Sequence, residues 1–93
     1  MLAQFTPLLG QGFELPLAGD DGTLQLSLVE AQALVPHPGA QRVPFSLVFE
    51  GPAEPQLPQA TYALAHLAIG PLDIFLVPVA RSPAGIRYEA VFN

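Results

Sequence analysis

The chain has 93 residues, 51% hydrophobic and 12% charged, with eight acids against Arg42, Arg81 and Arg87, no lysine and no cysteine. One domain of this size can hold a core where two could not, and a net charge of −5 with scattered arginines excludes the clustered cations on which nucleic-acid and anionic-membrane binding rest. The lack of cysteine excludes disulfides, thiolate chemistry and cysteine-held zinc or iron–sulfur clusters.

Taken in chain order, Thr6-Pro7-Leu8-Leu9-Gly10 predicts a brief helical turn, with Thr6 as cap, Pro7 at the first helical position and Gly10 at the stop. Phe13, Leu15 and Leu17 alternate with Glu14 and Pro16, a short strand whose proline points to a sheet edge. Asp20-Asp21-Gly22 is a hairpin signal. Leu24, Leu26 and Leu28 share one face, after which the apolar phase moves to Val29, Ala31 and Ala33. A phase change of one residue is what a β-bulge produces.

Pro36-His37-Pro38-Gly39 forms a loop that leads to the cleanest strand, Val43, Phe45, Leu47 and Phe49. Segment 51–58 carries three prolines and reads as a stiff surface connection. Tyr62, Leu64 and His66 share a face of the next strand, with Thr61, Ala63 and Ala65 on the other, and Gly70-Pro71 marks a turn. Segment 72–79 is apolar on both faces apart from Asp73 and reads as a central strand covered on both sides. Ser82-Pro83-Ala84-Gly85 turns the chain into Ile86, Tyr88, Ala90 and Phe92. A hairpin centred on Pro83 and Ala84 sets Val79 opposite Tyr88 and Val77 opposite Ala90.

These runs predict a single all-β domain over residues 1–93, a small antiparallel barrel or two-sheet sandwich of about six strands with a short N-terminal helical turn. A closed barrel is favoured, because a domain this small has little to spare for two open sheet edges. Residues 1–12 have neither a basic nor a sustained apolar stretch of the kind that signals export. No run approaches the ~18–20 apolar residues of a membrane-spanning helix. The expectation is a soluble cytoplasmic protein, unless a dedicated machine exports it.

The wording of several stretches carries a resemblance. Pro44-Phe45-Ser46-Leu47-Val48-Phe49-Glu50-Gly51-Pro52, Leu57-Pro58-Gln59-Ala60-Thr61-Tyr62, Phe75-Leu76-Val77-Pro78 and the closing Tyr88-Glu89-Ala90-Val91-Phe92-Asn93 resemble a family of short bacterial proteins known only as a domain of unknown function. The likeness extends to Leu8-Leu9-Gly10-Gln11 near the start. It implies no activity and no catalytic residues. Members accompany proteins similar to phage tail-collar or tail-fibre proteins, which implies an accessory or assembly role. Ala60 departs from the pattern, which has a glycine before the Thr-Tyr pair.

Candidate chemistry is sparse. His37 and His66 with Glu30 or Asp73 make a metal site only if they converge, and their spacing does not predict it. Ser46 or Ser82 with His66 and Asp73 is a nucleophile set on paper, without a strained nucleophile turn. Ser46 reads better as an outward or cross-strand hydroxyl on a strand and Ser82 as a turn residue. Glu14, Glu30, Glu50 and Glu89 alternate with apolar residues and read as solvated rather than as a glycosidase pair. Gly10-Gln11-Gly12 lacks the strand and helix of a phosphate cradle.

What remains is a candidate interface or pocket drawn from Arg42, Tyr62, His66, Arg81, Arg87 and Tyr88, with Gln59 beside them. A chain this size buries about 60–68% of its unfolded surface, so a half-apolar composition leaves apolar surface for another chain. The reading is a non-enzymatic interaction or assembly module that needs no cofactor. It uses the strand surface of 43–49 or 72–79 with arginines at the rim, and its partner is a second copy in a homodimer or a fibre-like protein. The alternative is a small-molecule-binding barrel with Tyr62, His66 and Tyr88 at its mouth.

Overall fold

The computed structural model describes residues 2–17, 22–39 and 41–92. Six antiparallel strands, β1 (Gly12–Pro16), β2 (Thr23–Ala33), β3 (Phe45–Gly51), β4 (Ala60–His66), β5 (Gly70–Ser82) and β6 (Gly85–Phe92), close into a barrel in the order β1-β2-β3-β6-β5-β4. Phe13, Leu26, Leu28, Leu47, Phe49, Leu64 and Leu76 have no exposed surface, and Ile74, Ile86 and Tyr88 expose 2% or less. Side chains therefore fill the interior, the usual state of a barrel this narrow.

The two long strands each serve two neighbours by bending at a bulge. β2 pairs with β1 through Ser27, then with β3, and its register to β3 shifts between Leu28 and Glu30, so the extra residue is Val29, where the apolar phase of the sequence changes. β5 pairs with β4 up to Leu76 and with β6 from Val77 on. Its bulge falls between Pro78 and Ala80 and corrects the expected hairpin register. Ser82 does face Gly85 across Pro83 and Ala84, and the expected pairing holds to Ala80 opposite Arg87. Val79 then takes up one residue, so Tyr88 faces Pro78 and Glu89 faces Val77.

Pro16 explains how the barrel closes. The Leu28 N–H donates to Gln11 O and the Leu17 N–H to Gly22 O, so the odd-numbered residues of β1 turn their backbone groups to β2. In an antiparallel ladder the even ones must then face β4. Pro16 brings no N–H to that side, and among the described residues β1 pairs in register with β4 at Glu14 opposite Ala65 alone. The proline thus marks the seam of a closed sheet where the sequence alone suggests an open edge.

Both barrel ends are covered. The expected short N-terminal helical turn is made of two 3-10 pieces, Leu2–Gln4 and Thr6–Leu8, and Phe5 rather than Thr6 stands at the cap of the second, without a side-chain cap bond. They bring Phe5 onto Phe45 and Phe92, whose rings stack 4.7 Å apart. At the other end of β3, segment 52–59 runs to β4. These strands stand opposite one another in the ring of six, so the segment crosses the barrel mouth. It is mostly exposed, as expected of a surface connection, yet Leu57 is buried.

Two further expectations are corrected. The turn after β4 is made by residues 67–69, with Gly70 at φ +74° opposite His66 and Pro71 already in β5. β5 is covered on one side only, because Ile74 and Leu76 point inward while Phe75 and Val79 stay about half exposed. Ser46 does lie on the outer side of β3, opposite Gln32 and Val91, and is buried there. The Asp20 and Asp21 of the expected hairpin signal lie outside the described residues.

Candidate functional site

Two of the six singled-out residues work together at the mouth crossed by segment 52–59. Tyr88 lies inside the barrel, 1% exposed, and its hydroxyl accepts the Leu57 N–H at 2.9 Å. Tyr62, half-buried on β4, donates its hydroxyl to the Pro58 carbonyl at 2.6 Å. Burial pushes the Tyr62 phenol above its ordinary value, with a smaller push from Tyr88. The two tyrosines clamp Leu57 and Pro58 as a plug, each hydroxyl bonded to a backbone group. Ala60 opens β4 just after the plug with an ordinary backbone, since none of the described non-glycine residues has positive φ.

The same mouth forces glycine at the β5–β6 turn. A Cβ on Gly85, at φ +148°, would stand 1.9 Å from the Gly51 carbonyl oxygen. Just outside, Glu50 accepts from Ser82 Oγ at 2.7 Å and from Arg87 Nε at 3.2 Å. These hydrogen bonds, the Ser82 one first, hold the Glu50 carboxyl below its ordinary value against an opposing effect of burial. Arg87 is therefore committed to a neighbour within the chain. Arg42 and Arg81 are exposed, on the approach to β3 and near the end of β5.

His66 sits apart from this cluster, with its ring 4.9 Å from that of Phe13. Its Nδ1 accepts the Ala68 N–H at 2.9 Å, so Nε2 carries the hydrogen and donates to Gln11 Oε1 at 2.7 Å. Both ring nitrogens are thus engaged in holding the β4–β5 turn against the residue that precedes β1. A groove of about 490 Å³ adjoins them, lined by Gln11, Gly12, Glu14, Ala65 and Leu67. Ser82, bound to Glu50, and Asp73 lie at opposite ends of β5, so Ser82 does not join Asp73 in a nucleophile set. Among the described residues no three His, Asp or Glu side chains gather as metal ligands, and His37 bonds only the adjacent Pro38 carbonyl.

The outer face of the sheet is the broadest feature that sequence reasoning missed in detail. Registers across it run Ser27–Glu50–Arg87–Ala80, then Glu30–Val48–Glu89–Val77, then Gln32–Ser46–Val91. Phe75 and Val79 of β5 flank Val77, and Val91 of β6 flanks Glu89; these three apolar residues are 49%, 51% and 51% exposed. Period-two alternation in 72–79 does contain the signal. Both of its phases are apolar, which conceals which one faces out.

The architecture is that of a small closed β domain with a packed interior, a plugged mouth and an apolar outer face. The chain belongs to the family described as Domain of unknown function (DUF6916), whose model matches residues 1–92. No curated protein and no solved structure matches it. Among the described residues no helix is long and apolar enough to cross a membrane.

Proposed function

We propose that the protein is a non-enzymatic interaction or assembly module that docks another polypeptide, a second copy or a fibre- or tail-collar-like protein, on the outer face of β5 and β6. The observation that carries this reading is the exposure of Phe75, Val79 and Val91 on adjacent strands, with Val48 between Glu30 and Glu89 in the neighbouring row and Val77 beyond Glu89. Contiguous exposed apolar surface marks contact sites, and aromatic side chains carry much of the energy of such contacts. Of the rim arginines, Arg81 is free for this role, Arg42 lies beyond the β3 end, and Arg87 is engaged with Glu50.

Native mass spectrometry of the gently captured chain tests the reading. Wild type is expected as a multimer or with a second polypeptide, and Phe75→Arg and Val91→Arg are expected to lose that added mass while keeping the wild-type melting temperature. Unchanged assemblies in both variants would overturn it.

A second reading, small-molecule binding, finds its support at the rim. The interior is occupied by side chains, but a groove of about 500 Å³ lined by Leu2, Ala3, Ala33, Arg42, Val43 and Phe45 offers apolar walls and one cation. A captured monomer carrying a few hundred daltons of extra mass that Arg42→Ala removes would favour it.

A further inference from the structure

The acids on the outer face select the chemistry of what covers it. Glu30 and Glu89 both stand in register with Val48, one on either side of it. Two strand spacings therefore separate the carboxylate-bearing positions, about 10 Å. Val77 continues the row beyond Glu89. Glu50 in the next row has its arginine, whereas neither Glu30 nor Glu89 has an ion pair among the described residues. Covering the face with an apolar surface alone would strip water from two unpaired carboxylates, at a cost that only cations opposite them can offset.

A second copy does not supply those cations at the required spacing. The chain has three arginines and no lysine, and Arg87 is held by Glu50. Arg42 lies just before Phe45, and Arg81 faces Ile86, which pairs with Gly51 at the other end of β3. The seven residues of β3, six strand steps from end to end, span about 20 Å, twice the separation of the acids. A like copy would also set its own acidic row against this one.

We infer that the outer face docks a different protein chain, whose contact surface carries two cations about 10 Å apart among apolar side chains. The inference rests on the interaction reading and narrows it to an unlike, basic-apolar partner. The association weakens as salt rises, because the screening length falls from about 8 Å at physiological ionic strength to about 3 Å at 1 M.

The absence of lysine supplies the test. Carbodiimide joins carboxylates to amines, and apart from its N-terminus this chain has none to offer, so an amide formed at Glu30 or Glu89 reports the partner's lysine. The chain is cross-linked in its host's extract, and in parallel the assembly is recovered without cross-linking, for wild type, the double variant Glu30→Gln with Glu89→Gln, and Phe75→Arg. Expected are links from Glu30 and Glu89 to one other protein and at least a tenfold fall in uncross-linked recovery with the glutamine pair; an arginine-only partner gives the fall without links. Recovery unchanged by the glutamine pair, or sedimentation of the chain as a dimer indifferent to that pair, overturns the inference. If Phe75→Arg abolishes recovery while the glutamine pair does not, the interaction face stands and the charge matching falls. If neither variant changes it, both fall.

Discussion

Strand β5 carries the same kind of residue on both faces and treats them oppositely. Ile74 and Leu76 point into the barrel, 1% and 0% exposed, while Phe75 and Val79 point out and keep about half their surface. A barrel wall needs only its inner residues for folding, so apolar side chains on the outside contribute little to stability and are available for contact. The same contrast separates the plugged mouth, where Leu57 and Pro58 are bonded to tyrosine hydroxyls, from the outer row, where Glu30 and Glu89 have no ion pair among the described residues. Stability and association should therefore respond to different substitutions.

The sharpest way to break this division is at Gly85. Alanine there brings a Cβ against the Gly51 carbonyl at a backbone angle that L residues rarely adopt, and both partners are main chain, so neither can swing aside. A loss of at least about 4 kcal/mol is expected, enough to unfold much of a marginally stable domain. Circular dichroism during urea unfolding measures it; a Gly85→Ala variant within 1 kcal/mol of wild type, on the order of an ordinary surface change, would show that the mouth is loosely built.

Next in size is the paired substitution along β5. Leu76→Ala empties part of the filled interior and should cost about 2–5 kcal/mol, whereas Phe75→Ala one residue earlier should stay within about 0.5 kcal/mol and instead weaken association. Equal losses from the two would mean that the outer face is part of the folding core and not a contact surface.

The clamp on the plug is a smaller test. Tyr88→Phe leaves the Leu57 N–H without its acceptor in a buried place and should cost about 1–3 kcal/mol. Tyr62→Phe removes a bond to the more exposed Pro58 carbonyl and should cost about 0.5–1.5 kcal/mol. Hydrogen exchange of the Leu57 amide distinguishes them, since it should accelerate strongly in the first variant and modestly in the second.

How much of this was legible beforehand follows from which interactions are local. The bulge at Val29 showed because it moves an alternation by one residue within a single strand. The bulge at Val79 did not, because both phases of 72–79 are apolar and a shift between two apolar faces leaves no mark. Pro16 signalled a weak edge, but whether that edge closes on β4 depends on a partner some 50 residues away in sequence. The plug was hidden for the same reason. Leu57 is one apolar residue in a proline-rich segment, and its burial is decided by the ring order that puts β3 and β4 on opposite sides. Of the candidate residues, Tyr62 and Tyr88 bond the adjacent Pro58 and Leu57, while Arg87 could not be matched to Glu50 without the β3–β6 register.

The finest test concerns that last pair. Glu50 has its folded-state value lowered from 4.5, first by the Ser82 hydroxyl and then by Arg87. A carboxyl that ionises more easily folded than unfolded contributes stability above its unfolded value. That contribution disappears as pH falls below 4.5 through the lower folded value. Stability measured by urea unfolding from pH 6 downward should therefore decline more steeply in wild type than in Glu50→Gln, with the two curves separated most at neutral pH and drawing together in acid. Ser82→Ala should reproduce most of the glutamine effect, because its hydrogen bond is the leading cause of the shift, and Arg87→Gln a smaller share. Parallel curves at all pH values would mean that Glu50 is as well solvated in the folded chain as in the unfolded one. In that case Arg87 would return to the pool of cations free to meet a partner.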